Sequence, residues 1–468
     1  MKTVQTRSAL VALLVAVAST ACDSFLSGPG LTESPNAPTQ ASRDQLFVSF
    51  QAAQFTQFEG ALARTACIFV QQCAGVDRQY LSLGSYDFTE DDFSGQFDQV
   101  YTGGGLVDIR KVEALADATN DPVYGGITRA WEAYIMGTAA DVWGNIAYAE
   151  AVGDVATPHL DPQATVYGVV QAKLDTAITM LGGAGTGPGG ADLAYGGNKA
   201  KWLEVVHTLK ARFYLHMAEV SSANYALALA QAQQGISSSA NDLKSYHSTT
   251  TTENNIWYQF QVVQRAGYLG AGKRLVDLLV ARNDPRLAIY FDKNQLGGYG
   301  GKNPGQSSDN TTSNICCGLG TVAGSRLAPG FRQPLITHAE NQLIIAEAAY
   351  QTGAVTTALD SLNAERTAAG LSALSGITGA ALLDSIMTEK YVVTFQNIEA
   401  WSDYRRTCTP TLVPYTAGGA TAIPGRLFYG FDERNTNPNI PDPAAQEAAT
   451  NKVGTPAGTN PNDPNPCP

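Results

Sequence analysis

The sequence has few charged residues and no basic run. Only 15% of its 468 residues are Asp, Glu, Lys or Arg, and the formal net charge is −12. Nucleic-acid binding depends on lysine and arginine side chains that neutralise phosphate, so this composition argues against a nucleic-acid partner. The hydrophobic share of 44% is nevertheless enough for a sizeable buried core.

The apolar run near the N-terminus, SALVALLVAVA, is too short for a membrane-spanning helix, which needs about twenty apolar residues. Lys2 and Arg7 precede the run, and the small residues of STAC lead to Cys22, as in a cleaved secretory signal. The STAC segment resembles a lipobox, although Ser19 stands where an aliphatic residue is usual. We predict a lipoprotein signal peptide over residues 1–21, a diacylglycerol-modified Cys22 and a tether over residues 22–41. A plain signal peptide with an incidental cysteine is the alternative.

Motifs for catalysis and cofactors are missing. Neither G-x-S-x-G nor H-E-x-x-H occurs. Gly267–Lys273 reads G-x-x-x-x-G-K, but Arg274 follows where a phosphate-binding loop needs Ser or Thr. The acidic run Glu90–Asp92 lacks the alternating spacing of a calcium loop. We expect no cofactor, no metal and no catalytic residue, although a carboxylate pair distant in sequence could still serve a glycoside hydrolase.

Six cysteines follow Cys22, and an even number in an exported chain suggests disulfides. Cys67 and Cys73 could bridge across a turn at a helix end, and a Cys408–Cys467 bridge would hold the C-terminal tail against the body. Cys316 and Cys317 could bond to each other or to separate partners. The pairing cannot be deduced from sequence alone.

Apolar periodicity predicts a mostly helical fold with less than about a tenth strand, below the average for globular domains. The small residues Ala346, Ala349, Gly353 and Ala358 fit a tetratricopeptide-like helix pair. We expect one domain over residues 42–440, with an irregular loop-rich lobe near 253–330 and a tail over 441–468. The predicted helices are Ser42–Cys73, Phe97–Thr119, Asp121–Thr138, Val166–Leu181, Lys201–Val220, Tyr225–Gln234, His338–Gln351, Ala354–Arg366 and Lys390–Arg406.

Aromatic side chains in polar stretches are the candidate ligand contacts, because sugar rings stack on flat apolar faces with a polar edge. One group stands beside the acidic run, and a second lies in the irregular lobe. Each ring could instead pack inside the protein. The candidates are Tyr80, Tyr86, Phe88, Trp257, Tyr258 and Tyr299, of which Trp257 is our first choice.

The segment Lys390–Pro410, KYVVTFQNIEAWSDYRRTCTP, has a helical apolar stripe that ends in Arg405 and Arg406. From the residues alone, this pattern predicts an amphipathic helix with a solvated charged end. Its EAWSDYRRT, followed by IPGRLFYGFDERNTNPN, resembles the closing signature of the SusD/RagB family of surface-exposed, nutrient-binding lipoproteins. Segment 283–286, NDPR, and CDSFL after the signal are also similar to the family. The sequence departs from the family at Cys408, where Gly is usual, and at Gly430, where Pro is common.

The resemblance implies a SusD-like fold, in which degenerate tetratricopeptide-like helix pairs form a scaffold and an irregular lobe binds the ligand. It implies a non-catalytic lipoprotein, anchored to the outer membrane at the cell surface. Such a protein captures oligosaccharides or other nutrients and passes them to a SusC-like TonB-dependent transporter. The alternatives are a lipid-anchored helical-repeat scaffold for protein partners and a surface glycoside hydrolase.

Overall fold

The computed structural model describes residues 41–322, 324–417, 422–442, 444–445 and 467. The predicted signal peptide, Cys22, nearly all of the tether and most of the predicted tail lie outside these ranges. A short unit ends at Leu46, and one compact unit begins at Phe47. Within the described ranges no helix is both long enough and apolar enough to cross a membrane.

Helices dominate the described residues, and the strands form only two two-stranded antiparallel pairs there, β1 with β3 and β2 with β4. The strands are β1 (Cys73–Gly75), β2 (Leu243–Lys244), β3 (Leu269–Ala271) and β4 (Pro334–Ile336). The α-helices are α1 (Arg43–Glu59), α2 (Ala61–Phe69), α3 (Arg78–Gly84), α4 (Ser94–Tyr101), α5 (Leu106–Ala118), α6 (Pro122–Trp143), α7 (Gln163–Leu181), α8 (Lys199–His216), α9 (Ala223–Ala232), α10 (Ile256–Tyr258), α11 (Lys273–Ala281), α12 (Leu287–Tyr290), α13 (His338–Gln351), α14 (Val355–Ala368), α15 (Gly379–Val393), α16 (Glu399–Thr407) and α17 (Phe431–Thr436).

The mostly helical class is therefore confirmed, but three predicted helices are each broken in two. Ser42–Cys73 divides at Gly60 and ends at Phe69, before β1. Phe97–Thr119 divides where Gly103 and Gly104 take φ values of +60° and +95°, which residues with a side chain rarely adopt. Lys390–Arg406 divides between α15 and α16, where Gln396 has φ +64°. Apolar periodicity continued across each break, so the pattern alone did not reveal them.

The helix pair predicted from small residues is present as α13 and α14. Ala346, Ala349 and Ala358 are fully buried in one apolar cluster that also contains residues of α15. The opposite side of α13 contributes Ile344 and Ala348 to a second cluster with α8 and α9. Helix α13 is thus covered on two sides, and its small side chains allow the neighbouring helices to approach closely.

The charged end of the signature segment is buried rather than solvated, which corrects the amphipathic interpretation. Arg406 donates to Glu347 at 2.5 and 2.9 Å and to Asp403 at 2.7 Å. The ammonium of Lys390 lies 2.9 Å from Glu347 and 2.7 Å from Asp403. Burial by itself would raise the pKa of Asp403, but the charges of Lys390 and Arg406 hold it below its ordinary value. The charges pair with one another because a buried unpaired charge is costly.

Helix α16 ends at Cys408, whose φ of +55° places it in the left-handed region. This geometry favours glycine at a helix end, and Cys408 is the position where the sequence departs from the glycine of the resembling family. Cys408 is bonded to Cys467, and Cys67 is bonded to Cys73 across the turn between α2 and β1. Cys316 and Cys317 are bonded to each other.

Candidate functional site

The two regions that carry the candidate aromatic residues are joined by the strand pair β1–β3. Cys73 pairs with Ala271 and Gly75 pairs with Leu269. Gly272, just after β3, packs so closely that a Cβ there would collide with the carbonyl oxygen of Gln71. Gly272 therefore allows close backbone packing, whereas Gly267 takes a φ of +81° with no neighbour within 4 Å of an added Cβ. The Lys273 ammonium lies 2.7 Å from Asp277.

An aromatic and arginine cluster forms where the segment after β1 meets the segment before β3. The Tyr80 ring lies 4.9 Å from Phe260 and 6.3 Å from Tyr268, measured between centroids. Arg64 donates to the Tyr80 hydroxyl at 3.0 Å, and its guanidinium lies 4.2 Å from the Phe260 centroid. Arg78 donates to the Tyr268 hydroxyl at 2.6 Å. These contacts fix the ring orientations and leave Tyr80 half-buried, with part of its surface open to solvent.

The backbone beneath this cluster is irregular. Residues Gln259–Gln264 form a π-helix, a conformation that is rare and frequent at functional sites. The Gln261 side chain donates to the carbonyl of Leu269 at 2.8 Å and so ties the π-helix to β3. Nη1 of Arg64 is buried and has no hydrogen-bond partner in the described part of the chain. A buried donor without an acceptor is unusual in a folded protein, and here it lies beside Tyr80.

Two cavities flank the segment 76–80. The Val76 cavity, of about 250 Å³, is mainly polar, with Lys293, Asn294 and Asp309 in its wall. The Tyr80 cavity, of about 400 Å³, is lined by Tyr80 together with apolar and acidic side chains. Both volumes are near the lower end of the range for small-molecule pockets. An extended ligand could therefore contact the Tyr80 ring and reach into a cavity.

The irregular lobe beside the Val76 cavity is held by local hydrogen bonds. Asn294 accepts from the backbone of Leu296 at 3.0 Å and donates to the carbonyl of Thr311 at 2.8 Å. Asp309 lies 2.6 Å from the ammonium of Lys302. Loops ordered on a helical scaffold are common carriers of binding residues.

Three of the six candidate residues are buried, contrary to our expectation of accessible rings. Trp257 has no exposed surface, Tyr86 is 1% exposed and Phe88 is 2% exposed. Tyr86 packs edge-on against Phe69, which also contacts Phe88. Trp257 and Tyr86 are covered by other parts of the core, because burying an aromatic ring is more favourable than leaving it in water. Phe88 is nearly as buried but lines the Tyr80 cavity. Trp257 cannot stack on a ligand in this conformation.

The other three candidates are half-buried, and their part in binding stays a prediction. Tyr80 lies in the cluster described above. Tyr258 packs beside Gly320, where a Cβ would collide with its ring, and Tyr299 lies in the irregular lobe. Tyr268 was not among the predicted residues; its ring is 8% exposed and helps to hold Tyr80 in place. Arg64 and Arg78 were not among them either, since their role depends on a strand pairing that short segments do not reveal.

Two of the acidic residues near Tyr80, Glu90 and Asp92, have protein partners. Glu90 accepts from Arg434 at 2.6 and 2.8 Å. Asp92 accepts from the backbone of Thr89 at 2.7 Å and caps the turn that follows. These carboxylates serve structural contacts.

A family model described as "Starch-binding associating with outer membrane" matches residues 35–430. The comparison with curated proteins gave no match. Among solved structures, a chitin-binding SusD homologue from Flavobacterium johnsoniae is 20% identical, with a TM-score of 0.71 over 90% of this chain and 98% of its own. A SusD/RagB family protein from Bacteroides thetaiotaomicron is 19% identical, with a TM-score of 0.71 over 87% and 96%. A SusD homologue from Bacteroides uniformis is 19% identical, with a TM-score of 0.71 over 89% and 98%.

These structures share the fold of this chain, and the family model spans most of the sequence. The resemblance inferred from the closing signature is confirmed, and the chain belongs to the SusD-like family of outer-membrane-associated proteins.

Proposed function

We propose that this protein is a non-catalytic lipoprotein of the outer-membrane surface, anchored through Cys22, that binds oligosaccharides. It then passes them to a SusC-like TonB-dependent transporter. The observation that carries the proposal is the half-buried Tyr80 ring, which lines the Tyr80 cavity and is held by the buried rings of Phe260 and Tyr268. The family of the chain is described as starch-binding. The chitin-binding name of one structural neighbour supports the same class of ligand.

The chemistry of the cluster suits sugars. A pyranose ring presents C–H groups on its face, which pack on an aromatic ring, and hydroxyls at its edge, which exchange hydrogen bonds. Tyr80 offers the ring. The side chain of Lys293 in the wall of the Val76 cavity offers donors, while Asn294 and Asp309 there already bond within the lobe. Such contacts support capture, and none of them requires a bond to be broken.

A ligand that must be released to a transporter should be held weakly. We expect dissociation constants near or above about 1 μM, which corresponds to roughly −8 kcal/mol of binding free energy. One stacked ring and a few hydrogen bonds can supply this amount. Much tighter binding would slow release, because affinity differences lie mostly in the dissociation rate.

The test is a titration of the purified chain with starch-derived and chitin-derived oligosaccharides, followed by chromatography of the sugars. Saturable binding with the sugars recovered intact supports the proposal. Shortened sugars would indicate the glycoside hydrolase instead. If no glycan binds and the chain captures only protein partners, it is the helical-repeat scaffold.

The transfer step is tested separately. Membranes from the source bacterium are solubilised, and the intact lipoprotein is purified by affinity. Co-purification of a TonB-dependent transporter supports the transfer, whereas purification of the chain alone contradicts it.

A further inference from the structure

A third cavity lies away from the Tyr80 cluster. It has a volume of about 370 Å³ and shares no lining residue with the Val76 or Tyr80 cavities. Helices α13, α14 and α15, the turn after α15 and helix α12 surround it. We call it the Arg326 cavity, and its charged walls include Arg326, Asp242 and Glu365.

Arg326 lines this cavity without a carboxylate partner among the described residues. Its Nε donates to the Gln396 side chain at 2.6 Å, and its Nη2 donates to the carbonyl of Phe395 at 3.0 Å. Nη1 donates to no described residue. The guanidinium lies 5.2 Å from the centroids of both Tyr290 and Phe395. Burial lowers the pKa of Arg326, as expected for a cation without a nearby carboxylate in the described ranges.

A carboxylate lies in the same cavity wall. The Glu365 side chain is 8% exposed, and its nearest ion-pairing group within the described ranges is the imidazole of His338, at 3.4 Å. It receives no hydrogen bond from the described part of the chain. Asp242 lies in the same wall, where it accepts from the backbone of His338 at 2.8 Å. A carboxylate in a protein interior normally has an arginine or lysine partner or a hydrogen-bond donor. Glu365 has neither among the described residues, so it is available to a cationic group in the cavity.

We propose that the Arg326 cavity binds a small zwitterion, an amino acid or a short peptide, with its ammonium at Glu365 and its carboxylate at Arg326. A neutral sugar would leave both charges unpaired, and a simple anion would face Glu365 and Asp242. The apolar residues Ile289 and Val393 in the same wall can cover a ligand side chain. Arginine is suited to a carboxylate because its planar fork can donate two parallel hydrogen bonds.

The pKa of Glu365 provides a second test of the proposal. Burial, and then the charges of Glu389 and Asp242, raise the pKa of Glu365 to about 7, and Arg286 opposes the rise. Arg286 is already paired with Asp284 at 2.6 Å. A ligand ammonium interacts with the ionised carboxylate, so binding should weaken as the pH falls below about 7. Replacing Glu365 with Gln should remove that dependence.

The experiment is isothermal titration calorimetry of the purified chain with the common amino acids and with glycyl dipeptides such as glycyl-leucine. The best ligand is then repeated in its N-acetylated and C-amidated forms. We expect saturable binding, and a loss of at least about tenfold in affinity when either end is blocked. Arg326→Gln and Glu365→Gln should each cause a similar loss. Asp360→Asn, an exposed carboxylate on the same helix as Glu365, and Lys111→Gln, an exposed lysine, should leave affinity unchanged.

Absence of binding at millimolar concentration would overturn the proposal, as would equal affinity for blocked and free ligands. If a variant fails to fold, the affinities of the blocked ligands for the unaltered chain still test the proposal. The outcome is independent of glycan binding at Tyr80, because the two sites share no residue.

Discussion

Glu347 is the residue whose replacement tests the buried ionic network of the signature helix. It is 1% exposed and accepts from both Lys390 and Arg406. Glu347→Gln keeps the side-chain volume and removes one negative charge. The two cations would then keep Asp403, and Arg406 would also keep a 3.6 Å contact with Glu219. The new amide could still accept through its oxygen, but its NH2 group would face a cationic donor.

The expected loss follows from the burial of all the partners. Lys390 and Arg406 have side-chain exposures of 2% and 3%, so solvent cannot replace the lost charge. Removing one member of a buried ion pair costs about 3–5 kcal/mol of unfolding free energy. The variant should lose this amount near neutral pH. The difference from the unaltered chain should shrink in acid, because Lys390 and Arg406 hold the pKa of Glu347 below its ordinary value against the effect of burial. A depressed pKa contributes stability above the unfolded value, and that contribution is lost as the pH falls.

The assay is urea unfolding followed by tryptophan fluorescence, since all five tryptophans are almost fully buried. The control is Asp360→Asn, which removes an exposed carboxylate from α14 and should change stability by less than about 0.5 kcal/mol. A loss below about 1 kcal/mol for Glu347→Gln would refute the reasoning, because it would mean that the cations are compensated in another way.

Three further changes have definite expected outcomes. Trp257→Ala should lower the unfolding free energy by about 3–5 kcal/mol, because Trp257 is fully buried; urea unfolding measures this, and unchanged stability would contradict the burial. Burial and the charge of Glu132 raise the pKa of Glu113, so its contribution to stability is present in acid and is lost as the pH rises. As the pH rises from about 5 to about 9, the unfolding free energy of Glu113→Gln should therefore fall by less than that of the unaltered chain. Equal decreases in the two proteins would contradict this expectation. Cys22→Ser should move the protein from the membrane fraction to the soluble fraction, and intact-mass analysis should find a lipid on Cys22 only in the unaltered protein; an unmodified Cys22 there would disprove the anchor.

The long periodic helices could be predicted from sequence, and the breaks within them could not. His338–Gln351 has the predicted bounds, because its apolar and small residues repeat at helical spacing and Thr337 caps it with a 3.0 Å bond to the Glu340 backbone. The break at Gln396 is not visible in the sequence, because the apolar residues on both sides of it continue the same helical stripe. The burial of Arg405 and Arg406 was hidden for a related reason: their partners Asp141 and Glu347 are distant in sequence.

The sequence indicated candidate regions but not the contacts between them. The sequence indicated two aromatic regions, and the structure joins them through β1 and β3. Trp257, our first choice as a ligand contact, is buried. A tryptophan in a polar stretch can still face the core, and the sequence pattern does not report which way a ring faces. Tyr80 was named, whereas Tyr268 and the two arginines became visible only with the pairing of two three-residue strands.

The central claim, that sugars bind at the Tyr80 cluster, is tested most directly by measuring oligosaccharide affinity for three proteins side by side. These are the unaltered chain, Tyr80→Ala, and Tyr246→Ala, which removes a tyrosine that is 41% exposed and lines neither the Val76 nor the Tyr80 cavity. We predict that Tyr80→Ala weakens binding by at least about tenfold, or about 1.4 kcal/mol, with unchanged helix content, while Tyr246→Ala binds as the unaltered chain does. Equal affinity of all three proteins, or an effect confined to Tyr246→Ala, would contradict the account.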